Sequence, residues 1–271
     1  MKNSSSSIRY IRICIGNRHL ILPIHNNNHK RGFTVKDVFQ ILNQIDGGVV
    51  LDAATGRGEF INILKQYLKG FTQIIGVDYS EKSVAYAQKV FPENNVEIYR
   101  MNLEELPYED AHFDTVCTSN SLHHFRNIDA VFKEMYRVLK PGGNFILTEM
   151  YADGAQSPPQ QTHIMMHHWI AKVDSLSGVF HASTFARDEI LALVKKMKLK
   201  KMHVVDFYHE VDDPKDHKSS QALIKNCQDT IKRLEGLGAY PDLIAEGETI
   251  IKRIGEIGFA GASRLLITGH K

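Results

Sequence analysis

Two apolar rhythms alternate along the first 150 residues, one with the period of a helix and one with the continuity of a buried strand. Val35, Val38, Phe39, Leu42 and Ile45 share one helical face, so Phe33 to Ile45 is expected to be a helix with Thr34 as its N-cap. Asp46-Gly47-Gly48 ends it and launches the run Val49-Val50-Leu51-Asp52, a buried strand. Thr55-Gly56-Arg57-Gly58 breaks that strand into a second helix, over residues 58–69. Gln73 to Val77 reads as the next strand and ends in Asp78; Ser80 then caps a helix over 81–90. Val96 to Met101, Phe113 to Thr118 and Asn144 to Met150 are three further strands. Between the last two, Asp129 to Leu139 is a helix that Lys140-Pro141-Gly142-Gly143 stops. Strands alternating with helices predict βαβ units, hence an α/β fold built on a mostly parallel, doubly wound sheet.

Beyond residue 150 the pattern loosens. Residues 151–185 read as irregular, with Pro158-Pro159 and the single tryptophan, Trp169. Thr184 to Met197 reads as a helix, Lys200 to Tyr208 as a strand, 219–235 and 241–257 as two helices, and Gly261 to Gly269 as the last strand. Residues 151–185 and 212–258 are longer than simple connections, so they are expected to be insertions forming a lid or a dimer surface.

Right-handed crossovers put the carboxyl ends of parallel strands on one rim. Asp52, Asp78, Asn102 and Asn120 each end or follow a strand and would meet there. Gly56 and Gly58 permit backbone angles that other residues avoid and let a ligand approach the main chain, with a helix N-terminus aimed at it. Asp78 lies twenty residues after Gly58, about the spacing at which an acid meets a ribose hydroxyl pair. A dinucleotide fingerprint needs a third glycine at position 61, for close helix–strand packing; Ile61 stands there, which disfavours a nicotinamide oxidoreductase.

An aspartate closing the first strand, followed by Gly56-x-Gly58, resembles the class I S-adenosylmethionine-dependent methyltransferases, whose loop usually reads D-x-G-x-G-x-G; Ala54 replaces the first glycine. Asn102 to Pro107, Phe113-Asp114, Leu122-His123-His124-Phe125 and Arg137-Val138-Leu139-Lys140-Pro141-Gly142-Gly143 are similar to the ubiquinone/menaquinone-biosynthesis type (type 11) of small-molecule methyltransferase, over roughly residues 45–150. The resemblance implies a seven-stranded, Rossmann-like sheet and S-adenosyl-L-methionine as cofactor. It implies that Gly56 and Gly58 carry the methionine end, that Asp78 with neighbouring Tyr79 meets the ribose, and that Asn102 and the Leu103 main chain meet the adenine. Asp52 with Ala53 would orient the amino end, and Asn120 would touch the methionine moiety. The implied reaction is methyl transfer to a small-molecule acceptor. A non-catalytic cofactor-binding protein and an aminopropyl transferase, which should show acidic groups for a polyamine, are the alternatives.

Composition narrows this further. The chain has 271 residues with 33 Lys and Arg against 31 Asp and Glu, so neither a nucleic-acid nor a membrane surface is implied. Cys14, Cys117 and Cys227 form no C-x-x-C pair, which fits a reducing, cytoplasmic setting. A homodimer is compatible with the insertions. Residues 1–31 carry Ser4 to Ser7 and no acid; a poorly ordered tail, a transit-like segment and a hairpin of Ile8–Ile15 with Leu20–Ile24 are the readings open to them. His123 and His124 are candidate general bases, against the plainer reading that they pack beneath the site. His163 and His167 stand i, i+4, the spacing of a helix-borne metal pair, but no Glu lies between them as in H-E-x-x-H. They are expected at the surface or in a substrate pocket, and no metal is expected. Met165, Met166 and Trp169 suit either an acceptor pocket or a helix core face.

Overall fold

The structure, a computed structural model, describes residues 9–15, 18–24, 33–238 and 240–271. The chain divides into two compact units: Phe33–Tyr151 with Phe185–Phe207 and Arg264–Lys271, and Ala152–Thr184 with Tyr208–Ser263 and the described part of Met1–Gly32.

The first unit is built on a sheet. Its strands are β3 (Phe33–Thr34), β4 (Val49–Ala53), β5 (Gln73–Asp78), β6 (Val96–Arg100), β7 (Phe113–Ser119), β8 (Leu139–Met150), β9 (Lys200–Tyr208) and β10 (Arg264–His270). They lie in the order β3-β9-β10-β8-β7-β4-β5-β6. Strands β6, β5, β4, β7 and β8 are parallel, and β10 runs antiparallel to both β8 and β9. Seven full strands plus the two-residue β3 at one edge make the expected doubly wound sheet. Successive side chains of a strand point to opposite faces, and the core divides accordingly. Val50, Ile74, Ile146 and Leu266 pack with α1 (Val35–Leu42), α2 (Glu59–Tyr67) and α3 (Glu81–Val90). Their neighbours Leu51, Ile75, Phe145, Leu147, Leu265 and Ile267 pack with α4 (Ile128–Val138) and α6 (Arg187–Lys195). Full burial of each such side chain contributes about 1.5–3 kcal/mol.

Gly76, in the middle of β5, answers the packing question that Ile61 raised. A Cβ on Gly76 would lie 2.7 Å from Ile98 Cδ1, 2.9 Å from Thr55 Oγ1 and 3.1 Å from Ile61 Cδ1. The space that a dinucleotide fold opens with a glycine on the helix is opened here by a glycine on the strand. The expected helix stop at Lys140–Gly143 lies inside β8. There the ladder passes from Phe113 opposite Leu139 to Thr115 opposite Asn144, and the intervening residues form a bulge with Gly142 at φ +76°. The Lys271 ammonium caps the preceding helix end, donating to the carbonyls of Tyr136 (2.7 Å), Arg137 (3.3 Å) and Leu139 (2.8 Å).

The second unit is helical, with a two-stranded ladder. Strands β1 (Arg9–Ile15) and β2 (Arg18–Ile24) pair antiparallel, from Arg9 opposite Ile24 to Ile15 opposite Arg18. The rest of the N-terminal segment, Ser4 to Ser7 included, lies outside the described residues. Its helices are α5 (Pro158–Leu176), α7 (His217–Leu237) and α8 (Pro241–Glu256). The reading of 151–185 as irregular is corrected by α5, nineteen residues long. Pro158-Pro159 starts this helix, because proline at a first turn gives up only an N–H that has no partner there. Ser157 closes a capping box: its N–H donates to Gln160 Oε1 (2.8 Å), and its Oγ accepts from Gln160 N (3.4 Å). Met166, Trp169, Ile170 and Val173 pack with Leu223, Leu234, Ile250 and Ile254, so Met166 and Trp169 are core residues. Trp169 approaches α8 at Gly247, where a Cβ would lie 2.5 Å from its ring, and donates Nε1–H to the Leu243 carbonyl at 2.8 Å.

Candidate functional site

Parallel pairing brings the predicted rim together. Asp52 sits in register with Gly76 of β5 and Cys117 of β7, Ala53 with Val77 and Thr118, and Asp78 with Arg100. After β4 the chain alternates through three left-handed residues: Ala54 at φ +58°, Gly56 at +57° and Gly58 at +86°. Ala54 thus holds a left-handed backbone of the kind that glycine adopts most readily. The turn is closed by Thr55 N–H to the Val77 carbonyl (2.9 Å) and Gly58 N–H to the Thr55 carbonyl (2.8 Å). Gly58 is the N-cap of α2, and a Cβ there would meet the Phe91 ring. At Gly56 an added Cβ would find only Glu59 Oε2, at 3.9 Å, so the main chain is open to a ligand.

Asp78 ties this turn to the next helix. Its Oδ2 accepts the Gly56 N–H at 2.8 Å and its Oδ1 accepts the Ser80 N–H at 2.8 Å. Burial raises its pKa above the ordinary carboxylate value, against the lowering effect of those N–H donors. The carboxylate thus lies on the same side as the glycine bend. Asp52, fully buried, is pushed up to about 7 by burial, which outweighs its hydrogen bonds from Thr55 Oγ1 (2.6 Å) and Cys117 Sγ (3.6 Å). Burial also raises the Cys117 thiol, whose second contact is the Leu51 carbonyl at 3.2 Å.

The remaining sequence candidates fall as follows. Asn102 is exposed, and its Oδ1 accepts the Glu104 N–H at 3.1 Å, capping the turn that buries Leu103. That connection is clamped from α4. The Arg137 guanidinium donates to the carbonyls of Leu106 (3.0 Å) and Tyr108 (2.7 Å), while Glu134 accepts the Leu106 N–H (3.0 Å). Tyr79 is 73% exposed, with the Arg100 guanidinium 5.6 Å from its ring centre. Asn120 is left-handed at φ +48°, and its buried Oδ1 has no hydrogen-bond partner among the described residues. Ser121 Oγ bonds the Ser119 carbonyl (2.8 Å) and reaches the Ala54 carbonyl (3.5 Å), joining this loop to the glycine turn.

His123 and His124 separate. His124 is exposed, whereas His123 is buried with Nδ1 3.1 Å from Glu149 Oε1. Glu149 Oε2 also accepts the N–H groups of Ser121 and Leu122, both at 2.9 Å, and so caps the short 3₁₀ turn that carries the histidines. Sequence reasoning missed Glu149 because a buried acid inside β8 looks like any polar interruption of a strand. It also missed Thr55 and Cys117, the partners of Asp52. In the helical unit His163 and His167 are both buried, not at the surface; His163 Nδ1 accepts the Ala262 N–H at 2.9 Å.

The geometry fits S-adenosylmethionine. An orphaned amide oxygen at Asn120, an open main chain at Gly56 and a carboxylate at Asp78 are the donors and acceptors that a nucleoside with an amino-acid tail requires. A methyltransferase domain model, type 11, matches residues 51–147. Demethylmenaquinone methyltransferase of Oceanobacillus iheyensis is 32% identical over 117 residues, which are 42% of this chain and 49% of that one. The chain spans about half the length of the curated relatives it matches. Among solved structures, the YcgJ protein of Bacillus subtilis superposes with TM-score 0.53 at 19% identity, over 88% of this chain and 97% of that one. A Haemonchus contortus phosphoethanolamine N-methyltransferase, solved with S-adenosylhomocysteine, superposes with TM-score 0.51 at 16% identity, over 88% and 53%. At these identities the likeness is one of fold. The matched stretch lies wholly within the sheet unit, and over residues 51–147 the chain is similar to methyltransferase domains of type 11.

Proposed function

We propose that this chain transfers the methyl group of S-adenosylmethionine to a small-molecule acceptor. The observation that carries the reading is the bond from the Gly56 N–H to the Asp78 carboxylate, which sets a ribose acceptor beside an open glycine turn. In this reading Asp78 accepts from the ribose hydroxyls, and the turn from Ala53 to Gly58 carries the methionine end. Asp52 orients the amino group, Asn102 and the Leu103 main chain meet the adenine, and the Asn120 amide accepts from the methionine moiety. The bound cofactor supplies an electrophilic methyl on a positively charged sulfur. The chain aligns an acceptor lone pair with that methyl; the new bond forms as the carbon–sulfur bond breaks and its electron pair returns to sulfur. Such alignment is worth roughly 7–11 kcal/mol of the barrier. His123, braced by Glu149, is the better placed of the two histidines to take a proton from a hydroxyl or amine acceptor, because the brace fixes its ring.

Acceptor recognition belongs, in this proposal, to the helical unit, which lies outside the matched domain. Calorimetry with S-adenosylmethionine and S-adenosylhomocysteine tests the cofactor half. An acceptor screen read by release of S-adenosylhomocysteine tests the transfer. Failure of a folded chain to bind either nucleoside would overturn the reading.

A further inference from the structure

The helical unit holds a histidine pair that the methyl-transfer reading does not use. His167 on α5 and His181 in the segment after it are both buried, and their Nε2 atoms face each other at 3.3 Å. The Nδ1 atom of each ring is held from behind. His181 Nδ1 lies 3.0 Å from Asp174 Oδ2, and the other oxygen of Asp174 accepts from the Arg233 guanidinium at 3.2 Å. His167 Nδ1 lies 3.1 Å from Thr184 Oγ1. The segment is folded back by the Asp174 carbonyl, which accepts the N–H groups of Ser177 (2.9 Å) and Val179 (3.1 Å).

Asp174 fixes the tautomer of His181. A carboxylate paired with Arg233 accepts the His181 Nδ1–H, which leaves the His181 Nε2 lone pair directed at His167. The Thr184 hydroxyl oxygen can do the same for His167. Two imidazole lone pairs converging in a buried site repel unless a proton or a cation stands between them. A hydrogen bond between them would be a long one, since most lie at about 2.7–3.2 Å. Two imidazoles bound to zinc at about 2.0–2.1 Å with a tetrahedral angle place their nitrogens roughly 3.3 Å apart. A carboxylate behind one metal-bound histidine and a hydroxyl behind the other are the usual outer supports of such ligands.

We propose that His167 and His181 bind a divalent cation of the zinc class between their Nε2 atoms, with Asp174 and Thr184 as positioning residues. Imidazole donors suit zinc, cobalt and nickel over magnesium or calcium. These two histidines supply half of a tetrahedral shell, and water or another donor completes it. This pair differs from the i, i+4 pair that spacing alone suggested, because His163 is turned to the Ala262 N–H.

The test uses the full chain, freed of metal by chelator and dialysis and titrated with zinc chloride, then with cobalt chloride. One equivalent of zinc should bind, and the cobalt form should show the visible absorption of a tetrahedral site. Asp174→Asn should weaken zinc binding about 10–100-fold, with its circular dichroism and melting midpoint recorded alongside. The double change His167→Gln and His181→Gln should abolish it. A wild-type chain that takes up no equivalent, or a cobalt form without visible bands, would overturn the proposal whether or not the variants fold. Zinc binding undiminished in the double variant would overturn it as well.

Discussion

Replacement of Asp78 by alanine tests the proposed ribose contact separately from the stability of the turn that presents it. The carboxylate has two tasks in the structure: it accepts the Gly56 N–H and the Ser80 N–H, each at 2.8 Å. Hydrogen bonds to a charged acceptor contribute about 1.5–3 kcal/mol each, so losing both puts an upper limit of roughly 3–6 kcal/mol on the stability cost. Asp78 is only partly buried, and water can replace part of what is lost. The expected cost is therefore near the lower end. In the cofactor complex the same oxygens would also face two ribose hydroxyls. Forfeiting about 1.4 kcal/mol of that contact already weakens binding tenfold, and two charge-assisted bonds at about 1.5 kcal/mol each would weaken it more than a hundredfold. Isothermal calorimetry with S-adenosylmethionine should thus show at least a tenfold loss in Asp78→Ala, with thermal melting confirming that the variant is folded. Asp78→Asn, which keeps the shape and one acceptor, should fall between. A folded Asp78→Ala chain with unchanged affinity would refute the ribose role and, with it, the reading of the whole rim.

Three further changes probe the turn and its buried acid. Gly58→Ala should destabilise the chain by about 2 kcal/mol or more, since the left-handed backbone costs an alanine about 1–2 kcal/mol and its Cβ would collide with Phe91; an unchanged melting midpoint would contradict the φ of +86°. Ala54→Gly should be neutral or stabilising by up to about 1 kcal/mol, as relief at φ +58° offsets the added freedom of the unfolded chain; a loss beyond that would show that Ala54 is not strained. Asp52 holds its proton up to about pH 7 in the fold but gives it up near 3.8 when unfolded. Its contribution is therefore fully present below about pH 4 and lost as pH rises through 7, by at most about 4 kcal/mol. Denaturant titrations at pH 5 and 8 should show that slope in the wild type and a flatter one in Asp52→Asn. If the cofactor's ammonium group sits beside Asp52, binding releases this proton, so affinity should climb with pH up to about 7 in the wild type and not in Asp52→Asn.

The sheet unit was largely legible because each of its signals is local. A buried parallel strand needs an unbroken apolar run, and the turn after it needs residues that tolerate left-handed angles, so Val49 to Gly58 announces itself. Asp78 could be placed by its distance from Gly58 because the intervening helix and strand have standard lengths. What escaped was set by long-range partners. Glu149 braces Ser121, Leu122 and His123 from across 26 to 28 residues, and nothing near it in sequence marks it as a cap. Arg137 looked like the end of a conventional helix, although its guanidinium reaches 29 and 31 residues back to hold the Tyr108 and Leu106 carbonyls.

The helical unit shows a different failure. Helix α5 is apolar on several faces, with His163, Ile164, Met166, His167, Trp169, Ile170 and Val173 all buried, so no polar stripe gave it a helical rhythm. Its double proline then read as a loop, though the Ser157–Gln160 capping box behind it was a start signal. The two errors share one cause. A helix that buries histidines must satisfy them with partners such as Asp174 and Thr184, and those partners are chosen by the three-dimensional packing, not by spacing along the chain. For the same reason the glycine turn and Asp78 are readable from backbone-shaping residues, while the partners of buried side chains such as His167 and His181 have to be read from the structure.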